Sequence, residues 1–241
     1  MKKVNVLWWG MLVFGVLLSA CAPAANNQPV QAPYTISASG VGKVYLTPDI
    51  AFVTIGAHTE SDTVSDALRK NNEQAQALSK TLVEMGVDAR DVQTSAFSVA
   101  PQQQFDAQGQ ATKTTYVVDN TVYISVHQLS NLGKLLDAAV SSGANRVNSL
   151  TFDVQDKTKY LSEARQLAVA DARAQAKELA DAAGVKLGKL TSLNAAISNN
   201  GLPMYDVKAP QTAASGGTNV PVSAGQLLIE VDVSVAYEIQ Q

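Results

Sequence analysis

The sequence has a single cysteine, Cys21, so no disulfide can form within the chain and the fold must be held by its core alone. Histidine is nearly as scarce, with only His58 and His127. Two histidines make a poor zinc site, which needs three or four ligands. Aromatic residues make up 6% and charged residues 16% of the 241 positions, too few cations for a nucleic-acid surface. After Cys21 there is no long apolar run, so nothing there reads as a membrane-spanning helix. Several motifs are also absent: the G-x-S-x-G elbow, H-E-x-x-H, a phosphate-binding P-loop and C-x-x-C. Acyl-transfer, zinc-protease, nucleotide and dithiol chemistry therefore have no local signature.

The first 21 residues carry the strongest short pattern. Lys2 and Lys3 precede an almost wholly apolar run, Val4 to Leu18, and Leu18-Ser19-Ala20-Cys21 closes it. A charged start, a short apolar stretch and small residues at a cut form an export signal. The run of about 15 residues is short for a membrane span, which needs roughly 20. Leu, two small residues and Cys resemble the lipobox of bacterial lipoproteins. That resemblance implies diacylglycerol on the Cys21 thiol and cleavage before it. The expected division is residues 1–20 as signal peptide, 21–34 as flexible tether and 35–241 as a single domain. Two or three acyl chains, at about 0.8 kcal/mol per buried methylene, give stable membrane attachment. Removing residues 1–20 takes away Lys2 and Lys3 and no acid, leaving 16 basic and 21 acidic residues, a net charge near −5. Such a balance argues against nucleic acid as a partner.

Residues 22–33, APAANNQPVQAP, cannot bury apolar area and read as the tether. Alternation starts at Thr35 and predicts strands over TISASGVGKVYL and IAFVTIGAH, joined at Thr47-Pro48-Asp49. Residues 63–85 switch to helical period, with Thr63 or Asp62 as cap and Gly86 as stop. Two strands follow around a hairpin tip at Gly109. Next come a helix from Leu132 to Val140 capped by Ser130, a strand over NRVNSLTFDV, and a long helix from Lys159 to Ala183. Its alanines give high helix propensity and let a helix lie close on a sheet. KLTSLNAAIS is a strand, 199–224 a long polar loop with few buried contacts, and QLLIEVDVSVAYEI the last strand.

Three segments repeat a plan of helix, glycine stop and strand, at Gly86, Gly143 and Gly184. The order is β-β-α-β-β-α-β-α-β-β. It predicts an α+β class: a mainly antiparallel sheet with helices packed on one face, built from repeated strand–helix–strand units.

Candidate sites are few. His58 and His127 are expected at solvent-exposed strand ends. The close glycines of Ser39-Gly40-Val41-Gly42-Lys43 lie inside a strand pattern, so a bulge or a tightly packed strand is expected rather than a phosphate cradle. Asp153 and Asp156 flank a strand end, and Asp171, Glu178 and Asp181 sit on the outer side of a helix. No catalytic, cofactor or metal residues are assigned; the one site residue is Cys21, for lipidation.

The pieces in their order resemble the SIMPL-domain family, also known as domain of unknown function 541. They are I-S-A-S-G-V-G-K-V-Y-L-T-P-D-I-A at Ile36 to Ala51, Asn71-Asn72, G-V-x-x-x-D-V-x-T at Gly86 to Thr94, and the strand Tyr116 to Val126. The alanine series from Ala164 and V-x-V-x-V-x-Y-x-I at Val231 to Ile239 complete them. The likeness covers about Thr35 to Gln240. It implies an exported bacterial α+β domain, in a family with periplasmic immunogenic antigens and members linked to oxidative-stress tolerance, some thought to form rings. It implies no catalytic residues.

The expected function is a lipid-anchored, non-enzymatic cell-envelope protein acting through self-assembly or an envelope protein partner, with no cofactor. Its expected place is the periplasmic face of the outer membrane, or the outer face of the cell membrane where there is only one. A small-ligand binding lipoprotein is the alternative, and a hydrolase with an unrecognised site a third. The strands Thr35–Leu46 and Leu227–Ile239 either form a free sheet edge or pair with each other.

Overall fold

A computed structural model describes residues 34–203 and 220–240. Cys21, the signal segment and nearly all of the tether lie outside the described residues. The elements are β1 (Thr35–Leu46), β2 (Ile50–Ser61), α1 (Val64–Glu84), β3 (Val92–Phe105), β4 (Ala111–Val126), α2 (Leu132–Ser141), β5 (Arg146–Asp153), α3 (Thr158–Ala183), β6 (Lys186–Pro203) and β7 (Leu227–Gln240). Their order is the one the sequence pattern predicts.

The strands divide into two antiparallel sheets, ordered β1-β7-β6 and β3-β4-β2-β5. Period alone reads a strand but not its neighbours, which is why one sheet was expected. Thr47-Pro48-Asp49 is a crossing between the sheets. Asp49 donates its amide to Asp153 O at 3.1 Å, and its side chain accepts from the Gln155 amide at 2.8 Å. The strands Thr35–Leu46 and Leu227–Gln240 pair with each other along their whole length, so β7 is central while β1 and β6 are edges.

Each sheet has its own apolar core under its own helices. Val231, Val233 and Val235 of β7 meet Ala164, Ala168, Ala172 and Ala176 of α3. Ala51, Val53 and Ile55 of β2 meet Leu78 and Leu82 of α1 and Leu135 of α2. On β1 the alternate positions Ala38, Gly40, Gly42, Val44 and Leu46 are buried and their neighbours are largely exposed. A Cβ at Gly40 would come closer than 3.0 Å to the backbone of Ala168 and Ala172, and one at Gly42 equally close to Ala164 and Ala168. The two glycines mark the tightly packed strand, with helix backbone resting on strand backbone.

The helix ends follow elementary rules. Thr63 accepts from the Asp66 amide at 3.2 Å and caps α1. Gly86, Gly143 and Gly184, at φ of 87°, 114° and 69°, turn the chain out of the three helices. Ser130 does not cap α2: the N-cap is Asn131, whose side chain bonds no amide of the helix, because a single 3₁₀ turn at Leu129–Asn131 leads straight into the helix.

The stretch 199–224 differs from the expected loop. Residues 199–203 belong to β6, whose irregular register against β7 let its polar residues pass for loop. Residues 204–219 lie outside the described set. Beyond them Val222 packs on the core of the second sheet, and the Val220 amide donates to Asp137 at 3.3 Å. Val222 is thus one partly buried contact within the stretch expected as loop.

If backbone contact at Gly42 sets the height of α3, Gly42→Ala should destabilise the fold by about 3 kcal/mol, the upper end of overpacking costs. Gly109→Ala, at a hairpin tip with open space around it, should cost only the left-handed backbone penalty of about 1–2 kcal/mol. Urea unfolding followed by circular dichroism measures both. Equal losses would mean that the helix yields to accommodate the methyl.

Candidate functional site

The open face of the second sheet, opposite α1 and α2, carries the densest polar cluster. His58 and Asp119 are cross-strand neighbours on β2 and β4, with Nδ1 and Oδ1 2.8 Å apart. The Arg146 guanidinium donates to the same carboxylate oxygen. Asn145 brackets the His58 backbone: its Oδ1 accepts from the His58 amide and its Nδ2 donates to the His58 carbonyl, each at 2.7 Å. Its amide side chain thus extends the β5 ladder by one rung. Burial alone would raise the Asp119 pKa, but hydrogen bonds from His58 and Arg146 outweigh it and hold the carboxyl below its ordinary value.

That cluster is an ion-pair lock between strands. His58 sits within β2 rather than at its end, and among the described residues no serine, threonine or cysteine is hydrogen-bonded to its ring. His127 lies just past β4 and pairs with Asp91, Nε2 to Oδ2 at 3.3 Å. The two histidines serve separate pairs. Among the described residues no three His, Cys, Asp or Glu side chains converge to hold a metal ion.

A cleft of about 320 Å³ opens between the end of α1, the end of β4 and the start of α2. Its polar lining is spent internally. His127 pairs with Asp91, Arg90 meets both carboxylate oxygens of Asp88, and Asn131 donates to Gln128. The Arg90 side chain, then its backbone amide, draws the Asp88 pKa down to about 2. A ligand pocket needs convergent groups left free, and this lining offers few.

The carboxylates at Asp153 and Asp171 have structural work. Asp153 holds Lys157 Nζ at 2.8 Å, and Lys157 also donates to the Asn200 carbonyl at 3.2 Å, tying β5 to β6. Asp171 is half-buried rather than solvated, and accepts from the Val41 amide at 2.9 Å on the outer side of β1. Sequence reading missed that bond, because it arises only from the closeness of α3 to β1.

What remains unpartnered is strand surface. β3 is exposed along nearly its whole length, with Phe97, Val99 and Phe105 open to solvent. β6 likewise exposes Leu193 and Ile197. These two edges are the candidate functional surface. They have no signal in composition, since their residues read as ordinary strand alternation.

Fold and surface together define a two-sheet α+β domain, without an assembled catalytic group among the described residues and with free strand edges. The chain belongs to the SIMPL family, a protein family of unknown function (DUF541), whose description matches residues 36–237. It is 31% identical over 224 residues to the 26 kDa periplasmic immunogenic protein of Brucella melitensis, covering 90% of this chain and 89% of that one. It is 26% identical over 191 residues to the uncharacterised protein YggE of Edwardsiella ictaluri, covering 78% and 80%. With YggE of Escherichia coli K12 it shares 29% over 183 residues, covering 76% and 73%. Among the described residues no helix is long and apolar enough to cross a membrane.

The Asp119 lock makes a pH prediction. A depressed native pKa adds stability above the unfolded value, near 3.9 for Asp, and loses it as pH falls through the native value. The stability gap between the protein and Asp119→Asn should be largest at about pH 5 to 7 and shrink below about pH 4. Urea titrations across that range measure it. A gap that does not vary with pH would show that the ion pairs contribute nothing.

Proposed function

We propose that this chain is a lipid-anchored, non-enzymatic protein of the bacterial envelope, exported and held at the membrane through Cys21. It works through contacts along its free strand edges, with copies of itself and with an envelope partner. The observation that carries this reading is the exposure of large apolar residues on edge strands β3 and β6. Unpaired backbone groups beside apolar side chains are the standard template for strand-to-strand association. The relatives support the location: those from Brucella bear a periplasmic name. None of the curated relatives bears an enzyme's name, which agrees with the absence of a catalytic constellation among the described residues. A role in envelope or oxidative-stress tolerance fits such a protein.

The anchor is tested by Cys21→Ser. Labelled fatty acid should no longer enter the protein, which should either keep residues 1–20 or leave the membrane fraction. Unchanged labelling and retention would refute lipidation at this position.

Self-contact is tested by light scattering of residues 22–241. At about 10 μM a complex of micromolar affinity, about −8 kcal/mol, is mostly formed. A multiple of the monomer mass is expected, falling toward one chain when Phe97 and Val99 are both changed to Asp. A single monomeric mass in the unmodified chain would defeat self-assembly.

A further inference from the structure

In a helix successive side chains turn by about 100°, so the residues before and after a buried one lie on opposite flanks. Asp171 precedes the buried Ala172 and reaches the Val41 amide on the β1 side. Arg173 follows Ala172 and therefore lies on the opposite flank, above β7 and toward β6. Repeating the rule at Ala164, Ala168 and Ala176 places Arg165, Val169 and Lys177 on that same flank, all exposed. On β6, Leu193, Ala195 and Ile197 stand opposite Val235, Val233 and Val231. They share the helix side of the sheet with those core residues. Because α3 rests chiefly on β1 and β7, this part of β6 is left open, with Leu193 and Ile197 49% and 45% exposed. The apolar positions of β6 therefore lie between a cationic flank of α3 and the free edge of β6. Among the described residues Lys177 alone of the three cations has an acidic neighbour, Asp181 at 2.6 Å.

We propose that this face of β6 binds an extended acidic peptide segment of a partner protein, added to β6 as a fourth strand of the first sheet. The proposal rests on the strand-edge reading above and names the chemistry of its partner. The backbone of β6 supplies the ladder, as in other strand additions. Alternate side chains of the incoming strand continue the apolar face of Leu193, Ala195 and Ile197. Acidic side chains among them lie within reach of Arg165, Arg173 and Lys177, and such charge-assisted bonds select the sign of the partner. A second copy does not meet this requirement. The other edge strands carry Lys43 on β1, no charge on β3, and Arg146 and Asp153 on β5; none offers an acidic series.

The test uses the intact mature chain and a fluorescein-labelled peptide in which every second residue is Thr and the positions between alternate Val and Glu, so that Val and Glu share one face, with its Val/Lys counterpart as control. Anisotropy should show the Glu peptide binding at least about tenfold more tightly, a difference of about 1.4 kcal/mol, and weakening as salt is raised. Arg165→Glu combined with Arg173→Glu should abolish that preference while the far-UV spectrum and melting temperature hold. Should that pair disturb folding, Lys177→Glu and, separately, Ile197→Ser are the second variants, each lowering affinity. Equal affinity for both peptides, no binding, or unchanged affinity in the charge-reversed chain would overturn the proposal. So would displacement of the peptide by phosphatidylglycerol vesicles, which would make the cationic flank a lipid site. A multimeric mass in light scattering with no peptide binding would leave the strand-edge reading standing and remove this one.

Discussion

The contact on which the first sheet depends is that of the α3 backbone with the backbone of β1 at Gly40 and Gly42. Packed layers normally stand well apart, about 10 Å for two stacked sheets, held off by side chains on both surfaces. Here alanine on one side and glycine on the other remove that spacer. The closest approach is to β1, an edge strand, so α3 is drawn off the centre of its sheet. Two consequences follow from that displacement. Asp171 comes within 2.9 Å of an outward amide of β1 and satisfies it, which blunts that edge against further pairing. The opposite edge, β6, is left with little of the helix above it. One edge is closed and the other opened by the same placement of small residues.

The second sheet repeats the plan with different means. α1 rests on β2 and β4, and its buried Asn71 donates to the carbonyls of Ala57 and Val118 at 3.0 and 3.1 Å, bridging the two strands. Two backbone acceptors fix which end of the amide is nitrogen. Anchored there, α1 leaves β3 uncovered beyond Thr94. Each strand that follows a helix and its glycine stop, namely β3, β5 and β6, is an edge of its sheet. The repeated helix–glycine–strand pattern is therefore also a pattern of edge formation. The glycine turns the chain back beside the sheet, and the inner positions are already held by strands the helix packs on.

Local order was legible in the sequence because it rests on local physics. Alternation, helical period, Thr63 and the three glycines that end the helices placed every element to within a few residues, apart from β6. The close packing at Gly40 and Gly42 was legible as well, from glycines in a strand and alanines at every fourth helical position. What escaped were facts that depend on pairing across long separations: the division into two sheets, the burial of Asp171, and the extent of β6. Four irregularities in its register with β7 break the alternation that would have announced the strand. The free edges escaped for the same reason. An edge strand and a half-buried strand carry the same alternation, and only the neighbour that is missing tells them apart.

Two separate cores and no disulfide raise the question of what joins the halves. Several of the described links are short and polar. Asp49 bonds the backbone on both sides of Val154, and Lys157 spans Asp153 and the Asn200 carbonyl. Apolar area crosses as well: Val154, directly after β5, packs in the first core, and Val222, beyond β6, packs on the second. A hydrogen bond contributes about 1 kcal/mol net, and burying a valine side chain about 1.5–3 kcal/mol. Each half, by contrast, rests on a sheet–helix core with many such side chains. Cohesion within each half therefore exceeds cohesion between them. Both sheets still belong to one compact unit, residues 35–241. For the strand-edge role proposed above, order within a sheet is what matters, because an added strand pairs only where the edge keeps its register. β3 and β6 both carry register irregularities against their neighbours, so the regular stretches between them, such as Ser192 to Ile197, are where a further strand can add.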